Sequence, residues 1–177
     1  MAFLALPSDD ELTPDAAEAA QRFLASHPGP LSNLDRTLLG STSVFTAYTA
    51  WFDLRDELIP FLGERAVNLF CYSISDGYPA PYPTTFFRRE LELNGDDPLD
   101  PQVTEAERLL IDWGRGLGAG AASVPAELMD RLEQTFQPKL RLLLTAFAGL
   151  MVAVCVVTVV GNVPNEHSPN EHSPNEP

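Results

Sequence analysis

The middle of the chain reads Ala80-Pro81-Tyr82-Pro83-Thr84-Thr85-Phe86-Phe87-Arg88-Arg89. Proline fixes its own φ and restricts the residue before it, so the prolines here predict an extended entry and a helix that begins near Thr84. Asn94-Gly95 is a turn signal that predicts the end of this helix. The decapeptide therefore predicts a break between two helices, followed by a helix that carries paired aromatic and paired cationic side chains.

Helical patterns precede the decapeptide. Apolar residues recur at three- and four-residue spacing over 43–59 and over 67–74, and each run gives one apolar face. Thr13-Pro14 is a cap followed by a first-turn proline, which predicts a helix that ends around Ser26. This half of the chain is predicted to be helical.

Helical patterns also follow the decapeptide. Thr104 and Glu107 form a capping box at the start of another apolar periodic run. A short helix is predicted around 128–136, and Pro138 opens the most apolar helix. Val152–Val160 would suit a strand on propensity alone, but the length of its apolar segment favours helix. No alternation indicates a sheet, so the predicted fold class is all-α.

Length and composition fit one domain with a tail. The chain has 177 residues, of which 45% are hydrophobic and 20% are charged, and this is ordinary for a globular protein. We expect an N-terminal helix and linker over 1–32 and a helical domain over 33–163. The segment 164–177 repeats Pro-Asn-Glu-His-Ser and is predicted to be disordered, because polar proline-rich repeats cannot bury a core.

Charge and cysteine content exclude several classes of function. The net charge of −14 argues against binding nucleic acid or an anionic membrane surface. Cys71 and Cys155 are too few and too far apart for a disulfide framework or a zinc site, so no metal and no cofactor is predicted. The N-terminus lacks a basic region and does not read as a secretory signal. We expect a cytoplasmic protein.

The decapeptide belongs to an ordered series of segments. The series is Leu58-Ile59-Pro60, Leu69-Phe70-Cys71-Tyr72, the decapeptide, Glu90-Leu91-Glu92-Leu93-Asn94-Gly95-Asp96-Asp97-Pro98, Thr104-Glu105-Ala106-Glu107-Arg108 and Ala146-Phe147-Ala148-Gly149-Leu150-Met151. Over residues 33–160 it resembles the AhpD-like alkylhydroperoxidase and carboxymuconolactone decarboxylase superfamily, in particular its peroxidase-related branch. The resemblance implies an AhpD-like helical bundle that forms a homo-oligomer through apolar helices.

The chain departs from that family where the family keeps its chemistry. The resemblance places the two cysteines of a CxxC motif at Ala80 and Pro83, the histidine at Phe87 and an acidic residue at Asn68. A dithiol peroxidase needs a thiolate to attack the peroxide and a second thiol to resolve the sulfenic acid. Its proton relay needs titratable groups. The resemblance therefore implies the fold without the family's dithiol mechanism.

In the family, the helix that carries the CxxC motif lies beside the substrate cavity. The resemblance thus implies a pocket for a small organic molecule, with Arg88 or Arg89 available to hold a carboxylate. In the alternative, the phenylalanines are core residues and Arg88 pairs with Glu92 one turn on. The candidate pocket residues are Asn68, Tyr82, Phe86, Phe87 and Arg88.

Cys71 is the cysteine nearest the degenerate motif and is a candidate lone thiol. It also occupies an apolar stripe, and a thiol buried among apolar groups has a raised pKa and little reactivity. No neighbouring residue in the sequence supplies a histidine or a cation. The inert interpretation is favoured, although the catalytic residues stay unknown.

Two other clusters suggest chemistry without matching its spacing. Trp113–Gly120 is glycine-rich, but it follows a helix and fits no phosphate-binding pattern, so it is predicted to be a flexible helix end and linker. Asp96, Asp97 and Asp100 miss the spacing of a calcium loop and are predicted to lie in a solvated turn. The two tail histidines could bind a metal weakly, but they lack a third fixed ligand.

The last apolar segment admits a different class of protein. No charge lies within Leu142–Val160, which is long enough to cross a bilayer, and Lys139 and Arg141 precede it as in a tail anchor. A helix that is apolar all round is also typical of a bundle core or an oligomer interface. The sequence favours the second interpretation and a protein without a membrane partner.

The favoured function is that of a peroxidase-related protein without its dithiol centre. Such a protein binds or transforms a small organic molecule in the residual cavity, and whether it is an enzyme stays open. The alternatives are an inert structural or interaction protein of the same fold and a tail-anchored membrane protein.

Overall fold

The computed structural model describes residues 3–166, which form eight α-helices and no β-strand. The predicted all-α class is confirmed for these residues. The helices are α1 (Pro14–Ser26), α2 (Asn33–Leu38), α3 (Thr42–Leu62), α4 (Glu64–Gly77), α5 (Pro81–Leu93), α6 (Glu105–Ala119), α7 (Ala126–Thr135) and α8 (Pro138–Gly161).

Local capping sets several helix ends where the sequence predicts them. The Thr13 hydroxyl accepts a hydrogen bond from the backbone N–H of Ala16 at 3.3 Å and starts α1. Glu107 accepts from the backbone N–H of Thr104 at 2.8 Å, which completes the capping box of α6. Gly95 takes a φ of +86° just after α5, a conformation that favours glycine. These three ends confirm the sequence predictions.

The start of α5 corrects one of them. The helix begins at Pro81, about one turn before the predicted start near Thr84. Pro81 and Pro83 both lie in the first turn, where backbone N–H groups have no partner within the helix. The missing N–H of proline therefore costs nothing here, and the prolines start the helix instead of delaying it.

The helix α4 is the enclosed centre of the bundle. Ten consecutive residues, Ala66–Ser75, are buried, and α4 contacts α3, α5, α6 and α8. Ser73 and Ser75 satisfy their buried hydroxyls by donating to the carbonyls of Leu69 and Tyr72 at 2.8 and 2.9 Å. A helix of modest hydrophobicity can thus be fully buried, because these polar side chains bond to their own backbone.

Glycines bring α6 against α4. A Cβ atom added at Gly118 would lie 2.2 Å from the carbonyl oxygen of Ile74, and one added at Gly77 would lie 2.5 Å from the carbonyl oxygen of Arg115. At Gly114 it would lie 2.9 Å from the Cβ of Ser73. The predicted flexible linker is therefore wrong. This stretch is helical to Ala119, and its glycines allow the backbones to approach closely.

An ion-pair cluster ties the start of α4 to the start of α6. Arg65 donates to both carboxylate oxygens of Asp96, at 2.9 and 2.7 Å, and also to Glu107. Burial raises the pKa of Glu107, but hydrogen bonds from Thr104 and Arg65 outweigh burial and hold that pKa below its usual value. The prediction of a solvated turn is therefore wrong for Asp96, which anchors the connection between α5 and α6.

The N-terminal helix, α1, packs onto the helical bundle. Ala16, Ala19 and Ala20 on α1 are buried against a second cluster that includes Leu38 and Phe45. The small side chains let α1 lie close to α2 and α3. This cluster lies beside the region between α2, α3 and α5.

The last helix has an enclosed side and an open side. Phe147, Met151 and Cys155 are fully or almost fully buried, whereas Leu142 and Val160 are 71% and 52% exposed. By length and composition α8 is apolar enough to cross a membrane. Its inner side is already part of the core.

We predict that Gly118→Ala lowers the free energy of unfolding by about 2–3 kcal/mol, because the new methyl group overlaps backbone atoms of α4 that cannot move independently. Urea denaturation followed by circular dichroism measures this loss.

Gly116→Ala is the matched control in the same helix. Its added Cβ would lie 3.0 Å from a terminal methyl group of Val124, which can rotate away. Its free energy of unfolding is expected to stay within about 1 kcal/mol of the wild-type value. Equal losses in the two variants would contradict the role of Gly118 in close helix packing.

Candidate functional site

A cavity of about 360 Å³ lies among α2, α3, α4, α5 and α8. This volume falls in the range of small-molecule sites. Four of the predicted pocket residues line it, and they are Asn68, Tyr82, Phe86 and Phe87. These residues lie on α4 and α5, so both helices contribute to the wall of the cavity.

Arg88 does not line the cavity. Its side chain is exposed and its Nη2 donates to the hydroxyl of Tyr72 at 3.5 Å. Successive helical residues are about 100° apart, and Arg88 follows Phe87 on the side opposite Phe86, so it turns away from the cavity that both phenylalanines line. The assignment of Arg88 to the pocket is therefore wrong, and within residues 3–166 it forms no ion pair with Glu92.

Aromatic rings form much of the wall. Trp51 stacks on Phe147 with ring centroids 5.1 Å apart, and its ring meets Phe52 edge-on at 5.0 Å. Phe86 meets Phe87 edge-on at 5.1 Å. Such packing fixes the rings, so the cavity is preformed and favours an apolar skeleton.

Ala80 and Pro83, at which the resemblance places the cysteines of a CxxC motif, both lie at the start of α5. Ala80 is fully buried at the cap of α5, and Pro83 lines the cavity one turn before Phe87. Cys71 is also fully buried but does not line the cavity. Burial raises the pKa of Cys71 well above its usual value, and burial raises that of Cys155 to about 12. Both thiols therefore stay protonated in the core.

The C-terminal segment crosses the rim of the cavity. The Tyr82 hydroxyl donates to Glu166 at 2.7 Å, and the same carboxylate accepts from the backbone N–H of Asn33 at 2.7 Å. Burial is the main cause that raises the pKa of Tyr82, and Glu166 adds to it. The protonated Tyr82 hydroxyl thus links α5 to the segment that follows α8.

The predicted tail is only partly described. Residues 164–166 lie against α2, where the Asn33 side chain donates to the carbonyl of Pro164 at 3.1 Å. The remainder, 167–177, lies outside the described residues, and so do the two histidines of the metal hypothesis.

Two donors at the inner wall lack partners within residues 3–166. The indole Nε1–H of Trp51 is buried without a hydrogen bond. Asn68 is 3% exposed, and its side-chain amide bonds to none of the described residues. A polar group in a cavity wall without a protein partner marks where a polar ligand atom would bind, and the Asn68 amide, which lines the cavity, is such a group.

Sequence analysis missed Trp51 and Arg55 as site residues. Arg55 also lines the cavity and donates to Glu64 at 2.5 Å. Trp51 lies in the apolar periodic run 43–59, and that pattern predicts only a core position. The available signal was helical spacing, because Trp51 and Arg55 are one turn apart on α3.

The sequence matches no protein-family model, and no curated protein matches it. Function is therefore inferred from the cavity itself. Among residues 3–166, no group of three His, Cys, Asp or Glu side chains is arranged to hold a metal ion. The arrangement offers an apolar chamber with a few fixed donors, which suits binding of a small organic molecule.

We predict no reduction of cumene hydroperoxide coupled to dithiothreitol, because neither thiol reaches the cavity or ionises readily. An aromatic disulfide reagent should label the thiols of the native protein far more slowly than those of the unfolded protein. Rapid turnover that disappears in Cys71→Ser would contradict the inert assignment. Cys155→Ser is the matched control for nonspecific thiol effects.

Proposed function

We propose that this chain is an AhpD-like, peroxidase-related protein that has lost the dithiol centre and binds a small organic molecule. The observation that carries the proposal is the 360 Å³ cavity beside the motif helix. Asn68, Pro83 and Phe87 line it, and these are three positions at which the resemblance implies catalytic groups. The helical order and the buried α4 support the fold assignment.

Binding is better supported than turnover. Tyr82 keeps its proton because burial raises its pKa. Asp35, which also lines the cavity, accepts hydrogen bonds from the Ser32 backbone and hydroxyl at 2.9 and 2.7 Å and so serves as a cap. These titratable groups have structural partners and are poorly placed for proton transfer to a ligand.

We predict that the neutral dye N-phenyl-1-naphthylamine binds saturably, one molecule per chain, with increased fluorescence. Thr49 lines the cavity, so Thr49→Trp should fill it and weaken binding by about tenfold or more. Thr46→Trp is the matched control, since Thr46 is one turn away on α3, exposed and outside the lining. A dye that fails to bind the folded wild type, or an equal loss in both variants, would contradict the proposed cavity function.

We also propose that two copies associate through the open side of α8. This surface, the outer α8 stripe, is defined by residues at alternating spacings of four and three. They are Leu142, Ala146, Gly149, Ala153, Val156 and Val160. The spacing is that of a helix-pairing seam, with small residues at its centre that permit close approach.

The stripe fits an antiparallel copy of itself. Reversed about Met151, Leu142 meets Val160, and the small Gly149 meets the small Ala153. A twofold interface needs this kind of self-complementarity. The pairing also removes the exposed side chains of Leu142, Val156 and Val160 from water.

A second copy fits the stripe better than a bilayer does. The inner side of α8, including Phe147 and Met151, is committed to the core, so insertion into lipid would require unfolding the domain. The net charge of −14 opposes approach to anionic lipid. We therefore propose a cytoplasmic homodimer, and the two buried thiols of each chain suit a reducing compartment.

We predict that the wild type sediments as a dimer at micromolar concentration and that Val156→Glu sediments as a folded monomer. Val156 is 40% exposed, so the monomer tolerates a carboxylate there, whereas the interface would bury its charge. Leu93→Glu on α5 is the matched control and should remain dimeric, because Leu93 is exposed away from the stripe. A monomeric wild type would contradict the homodimer.

A further inference from the structure

We infer that the cavity selects a neutral molecule with a carbonyl group on an apolar skeleton, which rests on the proposed binding function. Such a ligand class includes ketones, esters and lactones. The inference combines the side-chain amide of Asn68 in the cavity wall with the charges that line the same cavity.

Asn68 lies on the second helix of a hairpin whose first helix also lines the cavity. Gly63 joins α3 to α4, and Arg55 reaches across this hairpin to Glu64. Farther from the connection, α3 carries Trp51 and α4 carries Asn68, and both line the cavity. The hairpin therefore places the Asn68 amide and the Arg55 guanidinium in the wall of one chamber.

Two hydroxyl groups of the wall already have partners. The Thr49 hydroxyl donates to the carbonyl of Phe45 at 3.0 Å, and the Tyr82 hydroxyl donates to Glu166. The Asn68 amide, which is 3% exposed and lies in the cavity wall, has none within residues 3–166. A ligand oxygen that accepts from Asn68 thus satisfies a group that otherwise stays without a partner.

The wall disfavours both kinds of ion. Asp35 and Glu90 line the cavity, and Glu64 already compensates Arg55, so a ligand carboxylate gains little and meets two anions. A ligand ammonium would lose its hydration among the aromatic rings and would offer no acceptor to the N–H groups of Asn68. A neutral carbonyl accepts from those N–H groups without either cost, and the aromatic wall accommodates its apolar skeleton.

A matched ligand series on one ring system tests this inference. The four compounds are 2-acetylnaphthalene, naphthalene, 2-naphthoate and 2-naphthylmethylamine, and each competes with bound N-phenyl-1-naphthylamine at pH 7. We expect 2-acetylnaphthalene to bind about three- to tenfold more tightly than naphthalene, as one good hydrogen bond supplies. The two ions should bind more weakly than the ketone.

Asn68→Leu preserves size and removes the amide, so the preference for the ketone over naphthalene should fall to about one. Thr46→Val is the matched control, since it removes a hydroxyl that is bound to the backbone carbonyl of Thr42 outside the cavity, and it should keep the preference. If Asn68→Leu does not fold, Asn68→Asp replaces the donor with an acceptor and should also abolish the preference.

The outcomes separate this inference from the proposed binding function. Failure of N-phenyl-1-naphthylamine to bind overturns the binding function. Saturable dye binding with naphthoate or the amine preferred over the ketone overturns only the inferred ligand class. A ketone preference that survives in a folded Asn68 variant overturns the role of Asn68.

Discussion

The close approach of α4 and α6 is the constraint on which the rest of the structure depends. Gly118 faces the carbonyl oxygen of Ile74 where no Cβ would fit, so the two backbones touch along this seam. With α6 fixed behind it, α4 presents its remaining sides to α3, α5 and α8. The cavity opens on that opposite side, where large aromatic side chains hold the helices apart.

This separation of roles explains how a site can change while its scaffold persists. The glycine seam and the Arg65 cluster with Asp96 and Glu107 hold the bundle without using any cavity residue. The scaffold contacts can therefore persist when residues of the chamber differ. Under the proposed function, the cavity lacks the dithiol chemistry of the family and selects its ligand by shape and hydrogen bonding.

Local sequence signals predicted the helices well because caps and periodic apolar residues act within a few residues of one another. Thr13, Thr104 and Gly95 mark helix ends by bonds or backbone conformations that need no tertiary partner. The sequence predictions were wrong where one local signal is compatible with two different structures. Proline both breaks helices and starts them, as at Pro81, and a glycine run serves either a loop or a close helix contact, as at Gly118.

The sequence alone determined an all-helical chain, an acidic composition and the lack of cysteine at Ala80 and Pro83, because these follow from residue identity and short-range geometry. Tertiary structure decided that Arg88 turns outward, that α4 is the enclosed helix and that Trp51 and Asn68 retain unused donors. The physical reason is that a cavity is the volume left between five helices. Its size and free donors depend on how all five pack, which no single segment of the chain encodes.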